Sequence, residues 1–431
     1  MDKTIWDREI KEFPRAKGTL NTSILVIGGG ISGILTAFFL HKAGYKVIVV
    51  EGDRLGSERT RRTTAVITAL QDVMYFDIAK THGIDSAKLF YESNLFALNE
   101  YEKLSEKYEF AFENTSSYKY FKKDDGLIEK EQETLSRIGA KYEVLDEIDL
   151  PIKFYKALKF PHQGQMNPMK LIEELSKDLE IYEHSKIDKI GKNIAKGVDF
   201  SVIFEHVVIC TGYPFFKIRG LFPLKMYQNK SHIIIKKNSE GFVGNGIGSN
   251  TQDIYFRNYL DYLILGAMDS KTGDIVNGFD PINQFILSNY NVKDVKMRWI
   301  NQDSITFDSI PYIGRYSFLS KNRYVMTGYN LWGMTAAMTG AHLIKDLIMG
   351  KENKYKKLFS PTRKVDIIFT LNQVKTAVVE LLKFKRYRCT HLGCSLHYNS
   401  LDCSYECKCH GSKYDKDGKI IFTPTKKNIK K

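Results

Sequence analysis

A glycine-rich turn near the start leaves this chain few folds to choose from. Ser23-Ile-Leu-Val-Ile27 is a short apolar run of the kind that forms a buried parallel strand. Gly28-Gly-Gly-Ile-Ser-Gly33 follows and fits G-x-G-x-x-G, and Ile34 to Leu40 continues with helical spacing up to Gly44. Lys46-Val-Ile-Val-Val50 reads as a second strand, closing at Glu51. Gly28 permits the tight turn, Gly30 lets backbone approach a pyrophosphate, and Gly33 lets helix and strand pack closely. The helix N-terminus offers N–H groups and a positive dipole end to the phosphates, with Ser32 in that first turn. Glu51 stands 18 residues past Gly33, where a carboxylate can accept hydrogen bonds from ribose hydroxyls. The same carboxylate disfavours a 2′-phosphate, so FAD or NAD is expected rather than NADP. Residues 18–41 carry no formal charge, but the central glycines read as strand, turn and helix rather than a membrane span.

Three later segments favour FAD. Val207-Val-Ile-Cys-Thr-Gly212 is a buried strand ending at Thr211 and Gly212, and Arg323 to Gly328 is another. Tyr329 to Thr335 then leads into a helix over 336–349. A second glycine-bearing helix N-terminus suits a long ligand held at both ends. With Arg62-Thr-Thr-Ala65, Phe160 to Pro168 and Asp308 to Gly314, residues 20–360 resemble the D-amino-acid-oxidase-like FAD-dependent oxidoreductases. That resemblance implies an FAD domain covered by a mostly antiparallel sheet that forms the substrate pocket. It implies that Gly28, Gly30, Ser32, Gly33 and Glu51 hold the ADP half and that Thr63 and Thr64 help cradle phosphates. It places Thr211, Gly212 and Gly328 at cofactor-side turns, and Gly333, Met334 and Thr335 by the flavin ring. Arg257 is a candidate carboxylate clamp, because a guanidinium can hold a carboxylate by two hydrogen bonds; a solvated strand arginine is the alternative. Trp299, Gln302 and Asp308 are candidates for the pocket or for core and loop roles. No catalytic base stands out.

Five of the six cysteines fall between Cys389 and Cys409, and Cys210 stands alone. A secreted disulfide scaffold spreads its cysteines, whereas a local cluster with histidines reads as a metal site. Cys389-Thr-His391 and Cys407-Lys-Cys-His410 give C-x-H, fifteen residues, then C-x-x-H. Two thiolates and two imidazoles from two loops can hold a [2Fe-2S] cluster, and Cys₂His₂ is also a zinc set. The wording resembles the Rieske boxes. By that resemblance Cys389, Cys407, His391 and His410 are the metal ligands, and Cys394 and Cys409 form a disulfide tying the loops. Cys403 is left as a structural thiol and His397 as a surface or packing histidine.

The expected architecture is α/β plus α+β. A Rossmann-like FAD-binding domain interleaved with an antiparallel-sheet substrate domain spans 1–360, with a helical linker over 361–383. A small β-rich Rieske-type domain is expected over 384–431, shortened at its N-terminal side by the strands that usually precede the first box. About 48 residues are few for a self-sufficient core, so a metal, a disulfide or a docking partner is needed. The chain resembles bacterial two-part proteins that fuse these modules.

The implied activity is oxidation of a small amine or amino acid, with electrons passing from FAD to the [2Fe-2S] cluster and on to an unknown acceptor. A second reading makes the C-terminal piece a zinc-bound or degenerate docking module without a relay. Residues 351–431 hold 19 Lys+Arg against 7 Asp+Glu, so they carry +12 of the net +14. These lysines are scattered through loops and the aromatic residues between them follow no stacking pattern, which argues against nucleic acid; a peripheral membrane contact stays open. The ten histidines offer no two-histidine-one-carboxylate set for a non-haem iron oxygenase. No export signal stands in the first twenty residues, so the cytoplasm, with or without membrane association, is expected.

Overall fold

The computed structural model describes residues 3–214, 220–250, 253–274, 277–290, 294–425 and 427–429. Strand Gly18–Ile27, helix Ile31–Lys42 and strand Val47–Val50 form the expected strand–turn–helix–strand unit. Gly18–Ile27 pairs in parallel with Val47–Val50 on one side and Phe200–Gly212 on the other. Arg323–Thr327 adds a further parallel strand, and Tyr312–Arg315 closes that end antiparallel. All four residues of Val47–Val50 are buried, as a strand covered on both faces must be. Helices Ile31–Lys42 and Gly333–Ile348 pack side by side over this eight-stranded sheet.

A nine-stranded, mostly antiparallel sheet forms the second layer. At its end, Met226–Lys237 lies between Tyr262–Lys271 and Val295–Thr306. Side chains alternate across a strand, so these two long strands present opposite residue sets to opposite sides. Ser231, Ile233, Asn301 and Asp303 face inward, while Gln228, Lys230 and Gln302 face outward.

The C-terminal residues fold as a four-stranded antiparallel sheet of His397–Asn399, Ser404–Glu406, Lys413–Asp415 and Ile420–Phe422. Among the described residues no strand lies between Thr327 and His397. The outward side of the nine-stranded sheet supplies what those few residues lack. Lys230, His232, Asp402, Glu406 and Lys413 form a charge cluster buried between the two bodies. Gly273 N–H donates to Glu406 at 2.9 Å, and Lys408 pairs with Asp274 at 2.6 Å. Segment 361–383 holds helix Ile367–Leu382. It is anchored ahead of that helix by Arg363, which makes two 2.7 Å bonds to Asp308.

Candidate functional site: two adjoining cavities and a cysteine–histidine centre

A cavity of about 330 Å³ opens where the glycine turn meets the ends of the parallel strands. Its wall includes Gly28, Gly30, Ser32, Glu51, Thr63, Thr211, Gly212, Gly333 and Met334. Gly28 has φ +111°, and a side chain there would come within 2.6 Å of the Cys210 carbonyl oxygen. A Cβ on Gly33 would sit 1.8 Å from the Gly28 carbonyl oxygen, so Gly33 serves the packing of turn on helix and does not line the cavity. Gly30 caps the helix without a side-chain oxygen; Ile31 N donates to Thr60 Oγ1 at 3.1 Å, and the Ser32 and Gly33 N–H groups are left to an outside acceptor. Glu51 accepts from Gly29 N at 2.6 Å and Asp53 N at 2.9 Å, and burial raises its pKa. A side-chain-free turn, a helix start with first-turn N–H groups to spare and an acid at the strand end suit a dinucleotide. Three more expected residues, besides Gly33, stand back from the cavity. Gly328 packs against Thr306 and Met226, Thr335 accepts from Gln71 at 3.1 Å, and Thr64 lines only the neighbouring cavity.

That neighbour measures about 50 Å³ and shares Thr63, Asn301, Asp303, Leu331 and Met334 with the larger one. Ile233, Ile247, Phe256 and Trp332 supply apolar walls. Asp303 is the one charged residue among those lining it. Asn301 Nδ2 donates to Asp303 Oδ2 at 3.0 Å. Burial pushes Asp303 up to about 6, against the pull of Arg59. Asn301 Oδ1 and Asn245 Nδ2 are buried without a hydrogen-bond partner, so the walls carry polar atoms ready for a ligand.

Arg257 does not line this cavity. It is fully buried, neither solvated nor open to a substrate. Its Nη1 donates to the carbonyls of Thr64 and Ala65, and its guanidinium lies over the rings of Trp6 and Tyr259. Trp299 is a core residue whose Nε1 donates to Arg62 O at 2.9 Å. Asp308 belongs to the linker anchor: burial raises its pKa, but Arg363 and His82 outweigh burial and hold it at about 2. Gln302 points away from both cavities, toward the C-terminal sheet. Asp303 and Asn301 escaped notice in the sequence, although both lie in register with Trp299 at a period of two.

The two boxes form turns that face each other. Cys389 N donates to Cys394 O at 2.8 Å, and Gly393 N returns to Cys389 O at 2.9 Å. Cys407 and Gly411 repeat the second bond at 2.9 Å. A disulfide joins Cys394 to Cys409 and so ties the turns together. The rings of His391 and His410 stand 5.1 Å apart, and His410 Nδ1 is buried without a partner. Burial, with His391 and Lys271 nearby, holds His410 down to about 3, so the imidazole is neutral, as a metal ligand must be. The Cys389 thiol is held down to about 6, first by its hydrogen bond with Cys407. Two close thiols and two close imidazoles, one with an orphaned nitrogen, suit a two-thiolate, two-imidazole centre. Cys403 is exposed and outside this group, a surface thiol rather than a packed structural one. His397 is half-buried and bonds Glu380 at 2.7 Å.

The centre lies against the cavities. Gln302 Nε2 donates to Gly411 O at 2.8 Å, and the Tyr213 and His410 rings are 6.3 Å apart. Arg59, on the larger cavity's wall, donates to Gln302 O at 2.7 Å and to Gln228 Oε1 at 3.3 Å. Ile420, Ile421 and Thr423 of the C-terminal sheet line the larger cavity themselves.

Comparison with known proteins agrees with this geometry. The profile of a family described as FAD dependent oxidoreductase matches residues 23–347, and that of the Rieske [2Fe-2S] domain matches 375–431. The second match implies a [2Fe-2S] cluster. A putative Rieske 2Fe-2S iron-sulfur protein, YhfW of Bacillus subtilis, is 25% identical over 99% of this chain and 97% of its own length. A gamma-glutamylputrescine oxidoreductase of Escherichia coli is 23% identical over 78% of this chain and 87% of its own length. Among solved structures, an L-proline dehydrogenase from P. horikoshii superposes with a TM-score of 0.67 at 17% identity, covering 81% of this chain and 98% of that one.

Proposed function

The chain belongs to the FAD-dependent oxidoreductase family and ends in a Rieske [2Fe-2S] domain; from that premise we propose that it dehydrogenates a small amine and sends the electrons through its C-terminal domain to a separate acceptor. FAD bound in the larger cavity supplies the hydride acceptor, and a cluster held by Cys389, Cys407, His391 and His410 supplies one-electron transfer. The observation that carries the relay is the wall contributed by Ile420, Ile421 and Thr423 to the nucleotide cavity. A domain that closes the cofactor compartment is within short reach of whatever fills it.

The smaller cavity supports an amine over an amino acid. Among the described residues lining it there is no lysine or arginine to hold a carboxylate, and Asp303 offers a negative charge to an ammonium. Hydride leaves carbon only when the nitrogen lone pair is free, so the ammonium must first lose a proton. Asn301 occupies Asp303 Oδ2, which leaves Oδ1 to take that proton. The C–H bond then breaks with its electron pair departing as hydride, and water converts the resulting iminium to a carbonyl compound and an amine. Leu331, Trp332 and Met334 exclude bulk water from that step. The E. coli relative is named as an oxidoreductase of a putrescine derivative, which is consistent with an amine substrate.

The test is anaerobic reduction of iron-verified holoprotein with alkylamines and with the matching α-amino acids, followed by visible and EPR spectra. Flavin bleaching by amines together with a reduced-cluster signal is expected. Bleaching without that signal overturns the relay, and reduction by amino acids alone overturns the substrate class.

A further inference from the structure

Helix Ile367–Leu382 is built inside out. Its two buried residues are polar: Gln373, beside Lys271 Nζ at 3.4 Å, and Glu380, bonded to His397 and Lys383 at 2.7 Å each. Phe369 packs inward against Tyr227 and Phe307, and Ala377 against the cysteine-bearing body, but most of the other apolar residues face outward. Ile367 is 74% exposed, Leu371 60%, Leu382 71% and, just beyond the helix, Phe384 100%. At about 100° per residue, Ile367, Ile368, Leu371, Val378 and Leu382 share one continuous arc, and Gln373 and Glu380 lie opposite. An outward apolar stripe of this size marks an interaction surface.

Charge says what covers it. Lys364, Lys375, Lys383, Lys385, Arg386 and Arg388 border the stripe, and the acidic residues of the stretch are Asp366, which caps the helix, and the buried Glu380. A second copy packed on this face by a twofold axis would bring like charges together. A bilayer rich in anionic lipid satisfies both features, taking the apolar arc below the headgroups and the cations among them. No helix among the described residues is long and apolar enough to cross a membrane, and these 16 residues lie along the interface instead.

We propose that helix Ile367–Leu382, with the basic segment Lys383–Arg388, seats this protein on an anionic membrane surface. The seat borders the first cysteine–histidine turn. Arg388 Nη1 donates to Leu381 O at 2.9 Å and to Gly393 O at 3.1 Å, and the neighbouring Leu392 is exposed. Docking therefore brings the cluster-bearing turn to the lipid boundary. This surface stands whether or not the relay reading does.

Flotation of the full-length holoprotein with vesicles tests it, using phosphatidylcholine alone and phosphatidylcholine mixed with phosphatidylglycerol. Binding to the mixed vesicles that weakens with salt is expected. Leu371→Glu with Val378→Glu should lower it at least tenfold at unchanged flavin and iron content, because both side chains point to solvent. Lys385→Gln with Arg386→Gln should lower it about tenfold. A Phe384→Trp reporter should be quenched by brominated lipids. Failure to bind mixed vesicles, equal binding to neutral ones, or an unquenched reporter overturns the proposal. So does a vesicle-free dimer that Leu371→Glu dissociates, which assigns the face to a second copy.

Discussion

Gln302 Nε2 reaches the carbonyl oxygen of Gly411 at 2.8 Å, next in sequence to His410. Its neighbours Asn301 and Asp303 line the smaller cavity from the other side of the same strand. One strand thus touches both the smaller cavity and the second cysteine–histidine turn, and under the proposed relay the path between them is a single sheet thick.

Replacing Gln302 by Met tests this path. The Gly411 carbonyl loses its partner in a buried setting, a loss of about 1–3 kcal/mol. Stopped-flow reduction by amine should leave the rate of flavin bleaching unchanged and slow the appearance of reduced cluster about tenfold. Equal rates in both phases would remove Gln302 from the path.

Lys230→Met leaves Asp402 and Glu406 buried with a charge removed from between them. Breaking one partner of a buried pair costs about 3–5 kcal/mol. Urea unfolding followed by iron–sulfur absorbance should move to lower midpoint by that amount, while the nucleotide-binding body, followed by flavin fluorescence, moves less.

Asp303→Asn removes the proposed proton acceptor. In the native protein, flavin reduction should rise with pH through about 6, as the carboxyl group loses its proton. The variant should lose that limb and reduce flavin about 100-fold more slowly. A pH profile unchanged by the substitution would assign the limb to another group.

Asp308 carries a pH signature of its own. Its folded pKa, about 2, lies below an unfolded value of about 3.9. A depressed carboxyl group stabilises fully above the unfolded value and loses that contribution as pH falls through the folded one. Asp308→Asn should therefore cost about 2–3 kcal/mol near neutrality, a gap that closes between about pH 4 and pH 2. Paired equilibrium unfolding curves across that range check it.

What could be read from sequence was local. Gly28 to Gly33 with Glu51, and Cys389 to His391 with Cys407 to His410, signal themselves because each function needs fixed spacings within a few residues. What escaped depends on which face a distant strand presents. Gln302 was a pocket candidate, yet the strand's alternation turns it to the opposite side and turns Asp303 inward. Arg257 resembled a clamp because nothing nearby reveals that Thr64 and Ala65, almost 200 positions earlier, would offer it their carbonyls. The Lys230–Glu406 pair spans 176 positions. It joins the C-terminal sheet to the nine-stranded one, and no motif announces it.

Ile420, Ile421 and Thr423 form part of the nucleotide compartment's wall, and this carries a consequence for how the protein folds. The compartment's wall is complete only once the C-terminal sheet has docked against the nucleotide-binding body, so the two take shape as one unit.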